Sequence, residues 1–463
     1  MRKTAAVLVL ALAAFIYGFV ASERDIPPGG IVRDVYDWTR HQPRIRRTFQ
    51  VVRDRIAGRR MPKGRWAPVR PHPSLAELTG EERRAAAQLR SIGYLSGYEP
   101  APTTKGVTIH LPDLAYNGYN LVVSGHAQEA LLMDMAGKVL HRWTHDASAT
   151  FPEFGELEGI EIETSFNLHT WRRAYLYANG DLLAIYEGAG MIRLDRDSDL
   201  LWALTQGCHH DVFVNTDGTI YVLTRKYRVL PRLDPTRPVI EDFITILDPA
   251  GKVLRTVSLL EAFEKSSYAA YLGKSPEYGD LFHTNTIQVL DGAQAHRSPI
   301  FKQGNVLVSV RNLDVIAIVD METEEVVWAL SGQWKAQHEP ILLASGNILL
   351  LDNQGHRGMS KVIEIDPFTQ QIVWAYYGTP ANGFGTETCG SNQRLPNGNT
   401  LVVESDSGRA FEVTPGGQIV WEYYNPARAG DDGELIATLF DVVRLDPGYV
   451  AGWLIPPDIP SEP

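Results

Sequence analysis

From about residue 105 to the C-terminus the chain repeats one pattern six times, and a repeat of this kind leaves few folds open. A glycine-bearing turn precedes a run of β-formers: Asn117-Gly118 before YNLVV, Asn179-Gly180 before DLLAI, Asp217-Gly218 before TIYVL, Gly304 before NVLVSV, Ser345-Gly346 before NILLLD, and Asn397-Gly398 before NTLVV. Such turns mark tight hairpins because glycine accepts a positive φ. A second hairpin follows each one: ALLMDMAGKVL, MIRLDRDSDLLW, FITILDPAGKVLR, VIAIVDMETEEVVW, VIEIDPFTQQIVW and AFEVTPGGQIVW. Two hairpins make four antiparallel strands, and a single such sheet exposes two apolar faces and two edges. Closing six of them into a ring buries the faces and protects the edges. The expected fold is all-β, a six-bladed β-propeller over residues 101–463. Four of the second hairpins end in Trp at one offset (Trp202, Trp328, Trp374, Trp421), placed to pack blade against blade. The tail sequence Arg444-Leu445-Asp446-Pro447-Gly448-Tyr449 echoes Arg394-Leu395-Pro396-Asn397-Gly398-Asn399, which predicts a closing strand shared with the first blade.

The N-terminal residues read differently. Thr4 to Ala21 is an 18-residue run without a charge, directly after Arg2 and Lys3; as a helix it spans roughly 27 Å, enough for a thin bilayer core. The expectation is an uncleaved signal anchor over residues 1–22, with the N-terminus cytoplasmic. That makes a single-pass inner-membrane protein with its propeller on the periplasmic side. The alternative is a cleaved signal peptide with Ala21 at its −1 position, disfavoured by the bulky Phe19 at −3. Residues 23–100 read as a basic linker with a short helix. Residues 23–75 hold 13 Arg or Lys against 5 Asp or Glu, a surface for anionic lipid or an acidic protein partner, or simply a solvated linker face. Thr79-Gly80-Glu81-Glu82 has capping-box spacing, and the helix it starts ends near Gly93. The formal net charge of the whole chain is −11, so the body beyond the basic segment is strongly acidic and excludes nucleic acid as a partner.

Aligning the repeats on their turn glycines isolates three histidines. His210 lies eight residues before Gly218, His338 eight before Gly346, and His283 nine before Gly292, in a repeat lengthened through residues 291–303. Residues at the start of the innermost strands converge on a propeller axis. Alternation places His283 and Asn285 on one side, and Arg311 ends the NVLVSVR strand of the same repeat. Imidazoles, an amide and a guanidinium around one cavity suit a tetrahedral oxyanion, with one imidazole free to act as nucleophile.

With these residues in hand, CHHDVFVNTDG, FHTNTIQ, NVLVSVRN, QHEP and GHRGMSKVIEIDP, spread over residues 105–425, resemble the bacterial arylsulfotransferase family. Its members are six-bladed propellers that move a sulfuryl group from an aryl sulfate donor to a phenolic acceptor through a sulfohistidine. By motif position the resemblance implies His338 as nucleophile and His210 as acid–base. It implies His283, Asn285 and Arg311 as the sulfate-binding residues. It implies ping-pong kinetics and no cofactor, and the chain carries no G-x-x-x-x-G-K-[ST] phosphate loop. Trp334, next to the nucleophile in sequence, is the candidate acceptor contact. Family members carry a short-range disulfide near the nucleophile. Here the two cysteines, Cys208 and Cys389, lie far apart in sequence, and a bridge between them across the channel mouth is left open. Two other classes also remain: a metal-binding propeller built on His209, His210, His283 and His338, with Arg311 a poor neighbour for a cation, and a non-catalytic membrane-tethered propeller that binds a protein partner.

Overall fold

The computed structural model describes residues 66–68, 103–151, 168–235, 238–277, 279–356, 359–378, 384–429 and 435–454. Among these are six antiparallel blades of four strands, each running from the axis outward in chain order. Blade 2 begins with Arg173–Leu176, blade 3 with Cys208–Val214, blade 4 with Thr284–Val289, blade 5 with His338–Leu342 and blade 6 with Ser391–Arg394. Blade 1 is the exception. Its inner strand is Leu439–Leu445 from the C-terminal end, paired with Tyr119–Ser124 so that Arg444 faces Asn120 and Leu445 faces Tyr119. The echo in the tail sequence is therefore the closure of the ring. Gly106–His110 adds a fifth strand outside Ile419–Tyr424 of blade 6, so segments from both ends of the propeller sequence lock the same junction.

The middle strands are buried because they read as near-continuous apolar runs. Val306–Val310 and Val315–Asp320 are buried at every position, as expected of sheets covered on both faces. The tryptophans reach from the outer strand of one blade to the next. Trp421 Nε1 donates to the Met135 carbonyl at 2.9 Å, and Trp374 Nε1 to Pro415 at 2.9 Å. Trp202 lies on Gly251, where an added Cβ would come within 2.6 Å of its ring. Trp143 of blade 1, which the sequence pattern did not single out, donates to Gly180 of blade 2 at 3.1 Å.

Between blades 3 and 4 the chain departs from the repeat. A short helix, Leu259–Glu264, and a 3-10 turn, Ala269–Lys274, lead to Gly279–Asp280, which pairs in parallel with the third strand of blade 3. This excursion brings a carboxylate to the axis.

The N-terminal expectation is corrected. A span needs about 20 consecutive apolar residues in a helix, and no helix among the described residues is long and apolar enough to cross a membrane. The helix Leu259–Glu264 has only six residues, two of them glutamates. The supported fold class is thus the six-bladed propeller by itself. The anchor, the membrane as a partner, and the single-pass inner-membrane location gain no support. Residues 1–22 and the helix expected after Thr79 lie outside the described residues. Of the stretch read as a linker, Trp66–Pro68 is described, and it forms a strand against Leu435–Ala437.

Closure leaves no room at Gly118. A Cβ there would stand 2.3 Å from the Leu445 carbonyl oxygen of the closing strand and 2.9 Å from Arg444 Cδ. Gly118→Ala must therefore push the closing strand away, and is expected to cost about 1–3 kcal/mol, the scale of overpacking, read as a lower urea midpoint with an unchanged slope.

Candidate functional site

The starts of the inner strands build a polar cavity on the axis. His338 is its most buried histidine after His209, 3% exposed. Its Nδ1 lies 2.8 Å from Asn353 Oδ1 and 3.1 Å from the Ala336 carbonyl. Both partners only accept, so Nδ1 carries the proton and Nε2 keeps its lone pair. Asn353 cannot turn to offer its amide nitrogen instead, because its Nδ2 donates to the carbonyls of Thr386 at 2.9 Å and Cys389 at 2.8 Å. Burial, and then the charges of Arg311 and Arg172, hold the His338 pKa well below the ordinary imidazole value. At neutral pH it is an uncharged base with its free nitrogen fixed.

His210 and His283 meet edge to face with ring centroids 4.7 Å apart, yet their surroundings differ. His210 is buried, its Nδ1 3.0 Å from Nδ1 of His209, and its backbone N–H donates to Glu187 at 3.2 Å. Burial, followed by the charges of His283 and Arg172, pushes its pKa well down. His283 keeps 31% side-chain exposure, and its Nδ1 lies 2.5 Å from Asp280 Oδ2. Asp280 Oδ1 also accepts the His283 backbone N–H at 3.0 Å. Burial works to raise the Asp280 pKa, but the hydrogen bond and charge of His283 outweigh it and hold the carboxyl below its usual range.

Asn285 is brought to the same cavity, though not by strand alternation. The inner strand of blade 4 shifts register between Thr284 and Thr286, and His283 sits at φ 50°. Asn285 Nδ2 donates to the Gln337 carbonyl at 2.8 Å, so one of its N–H groups braces the backbone before His338. Arg311 opens the 3-10 turn Arg311–Leu313, with its NH1 3.2 Å from Asn312 Oδ1; Asn312 in turn donates to the Asp280 carbonyl.

Two expectations are corrected. Trp334 is 4% exposed and packs with Ile316, Leu330 and Ile348, its Nε1 donating to Asp314; the ring fills the core between blades 4 and 5 and offers no face to an acceptor. No disulfide joins Cys208 to Cys389. They belong to different apolar cores, Cys208 with Leu183 and Ile220, and Cys389 with Ala184 and Phe440. Burial also pushes the Cys208 thiol up, away from the reactive thiolate.

Among the described residues the cluster spaced for a metal is Glu187, His209 and His210, whose ligand atoms lie within 4.8 Å of one another. It differs from the four-histidine set of the alternative metal-binding reading. Arg225 NH1 stands 3.3 Å and Arg172 Nε 3.9 Å from Glu187, and two guanidinium groups on the only carboxylate suit a cation badly.

Sequence reading missed the residues beneath this cavity. Arg173 of blade 2 bonds Asp211 of blade 3 at 2.8 Å, Glu339 of blade 5 at 2.5 Å and Asp441 of blade 1 at 2.9 Å. Ser391 of blade 6 donates to Asp441 at 2.7 Å. Thr286 of blade 4 accepts from the Glu339 N–H at 2.9 Å, and Ile287 of the same blade donates to Asp211 at 2.9 Å. All six blades therefore meet around one guanidinium. A signal did exist: Arg173, Asp211, Asn285, Glu339, Ser391 and Asp441 each lie seven residues before a turn glycine, one place after His210 and His338 and two after His283.

The family described as Arylsulfotransferase (ASST) matches residues 174–426. No curated protein matches the chain. Among solved structures, a protein of unknown function from Bacteroides caccae is 12% identical, covering 71% of this chain and 98% of that one, with a TM-score of 0.45. Virginiamycin B lyase from Staphylococcus aureus is 11% identical, covering 58% and 72%, with a TM-score of 0.34. A streptogramin B lyase is 13% identical, covering 72% and 94%, with a TM-score of 0.40.

The Arg173 cluster sets a pH dependence. Burial, with Asp211 and Asp441 nearby, lifts the Glu339 pKa from 4.5 to about 7 despite Arg173. The folded protein then keeps a proton that the unfolded chain has released. Stability from this group is complete below pH 4.5 and falls as pH rises through about 7. Glu339→Gln should flatten that fall in thermal melts between pH 5 and 8, in part only, because burial also raises Asp242 to about 7. Arg173→Met, which leaves three carboxylates without their cation, should cost about 3–5 kcal/mol at neutral pH.

Proposed function

The chain belongs to the arylsulfotransferase family, and we propose that it transfers a sulfuryl group from an aryl sulfate to a phenolic acceptor through a sulfohistidine at His338. Enzymatic activity of this general type is supported by the match over residues 174–426. The observation that carries the finer reading is the fixed tautomer of His338. Its Nδ1–H is committed to Asn353 and Ala336, which leaves an unprotonated Nε2 in a cavity lined by positive and hydrogen-bonding groups.

In the first half-reaction the Nε2 lone pair forms the N–S bond as the S–O bond to the phenol breaks. The bonding pair leaves on the phenol oxygen, which takes a proton from the His210/His283 pair. Arg311 and the remaining N–H of Asn285 hold the sulfuryl oxygens, where negative charge is carried throughout the transfer. In the second half-reaction an incoming phenol loses its proton to the same pair, its oxygen attacks sulfur, and the N–S electrons return to His338. A neutral His338 is needed only at the start of each half-cycle pair. The low pKa supplied by burial, Arg311 and Arg172 provides it.

With 4-nitrophenyl sulfate and no acceptor, the wild type should release about one phenol per active site, and the denatured protein should carry a sulfuryl group on His338. His338→Ala should abolish both the burst and turnover while the protein still folds. Arg311→Leu should keep labelling but slow it roughly 10²-fold or more, the scale of one lost oxyanion donor. Transfer at the wild-type rate by His338→Ala would exclude this nucleophile.

A further inference from the structure

We propose that His283, held by the Asp280 carboxylate, is the acid–base residue of the transfer, an inference that rests on the sulfuryl-transfer reading. Each of the two rings that meet at 4.7 Å has a carboxylate beside Nδ1, but Asp280 Oδ2 stands 2.5 Å from His283, whereas Glu187 Oε1 stands 3.4 Å from His210 and is shared with Arg225 at 3.3 Å. That contact orients the ring with Nε2 outward and stabilises the imidazolium that an acid must be. Asp280 is fixed in turn by the His283 backbone N–H, by Asn312 on its own carbonyl, and by its parallel pairing beside Ile240. His283 also keeps 31% side-chain exposure against 8% for His210, so it can reach a bound phenol oxygen and exchange its proton.

His210 is built for the opposite state. Burial, then the charges of His283, Arg172, His209 and Arg225, push its pKa well down, and its one close carboxylate, Glu187, is also drawn to Arg225 and Arg172. The groups around the dyad are Arg172 and Glu187 of blade 2, Arg225, His209 and Asp242 of blade 3, and His338 of blade 5. Within this set Asp280 is the carboxylate that accepts from His283 Nδ1, held below its usual range by that contact. In the first step His283 Nε2–H passes its proton to the departing phenol oxygen as the S–O bond breaks. In the second, the acceptor phenol's proton returns to Nε2 as its oxygen bonds to sulfur. No other reactant is needed for balance.

A general acid matters most when the leaving phenol is a poor one. Single-turnover phenol release should therefore be compared for 4-nitrophenyl sulfate and unsubstituted phenyl sulfate in the wild type and in Asp280→Asn, His283→Gln and His210→Asn. Asp280→Asn is expected to slow release from phenyl sulfate roughly 10²-fold or more while staying within about tenfold for 4-nitrophenyl sulfate. His283→Gln, which leaves the Asp280 backbone contacts alone, should show the same steepened dependence, and His210→Asn should slow both substrates alike. A dependence in both Asp280→Asn and His283→Gln as shallow as in the wild type, with the burst intact, overturns the proposal alone. So does steepening confined to His210→Asn. A wild type that releases no phenol from any aryl sulfate overturns it together with the reading on which it rests.

Discussion

The ring is held at its axis by one guanidinium. Arg173 takes a carboxylate from each of three other blades, and the remaining two blades join through hydrogen bonds to those same carboxylates or to their backbone. Asp441 belongs to the C-terminal closing strand, so the bond that completes the cluster is also the bond that closes the circle. Burying four charges is unfavourable in itself, and well-packed apolar residues of similar volume would serve stability as well. An apolar plug, however, would accept a slipped strand. A three-way charged contact accepts only the register in which Asp211, Glu339 and Asp441 all face Arg173.

That register also sets the chemistry. The residue before three of the cluster members bears on the site: Arg172 before Arg173, His210 before Asp211, His338 before Glu339. In a regular strand, consecutive side chains would point to opposite faces. Here bulges intervene, with register shifts between Cys208 and Val212 and between His338 and Ile341, and with positive φ at His210, His283 and Glu339. A left-handed non-glycine residue costs roughly 1–2 kcal/mol. The bulges allow two successive residues to serve the axis, one for closure and one for the site, and the strain is carried where the surrounding sheet fixes it.

What the sequence made legible is whatever recurs. Hairpin turns, the tail echo and the shared offset of His210 and His338 all come from a repeat compared with itself. The Arg173 cluster sits one residue away in the same alignment, but its members alternate in sign and type, so no single residue class recurs. Asp280 stands on the excursion between blades 3 and 4, where the repeat offers no counterpart, and Asn353 lies seven residues after its turn glycine, the offset of Glu187, Arg225 and Arg311, where the residue type changes from blade to blade. Trp334 misled for a related reason: nearness to His338 in sequence says nothing about which way a ring faces, and its indole is needed between two blades. The Cys208 and Cys389 thiols could not be placed without knowing that they enter separate cores.

The two outer groups that hold the site histidines divide the work by their chemistry. An amide oxygen, that of Asn353, accepts the Nδ1–H of His338 and so fixes its tautomer, but adds no negative charge. In the proposed sulfohistidine the ring is cationic, and a carboxylate partner would stabilise that adduct and slow its breakdown. On that reading the amide leaves the adduct reactive, and Arg311 and Arg172, which disfavour positive charge on the ring, favour its onward transfer. His283 has the opposite partner. Asp280 Oδ2 accepts from its Nδ1 at 2.5 Å, the partner that the proposed proton donor requires. On the proposed transfer, two imidazoles in one cavity are given different tasks by the choice of Asn at one and Asp at the other.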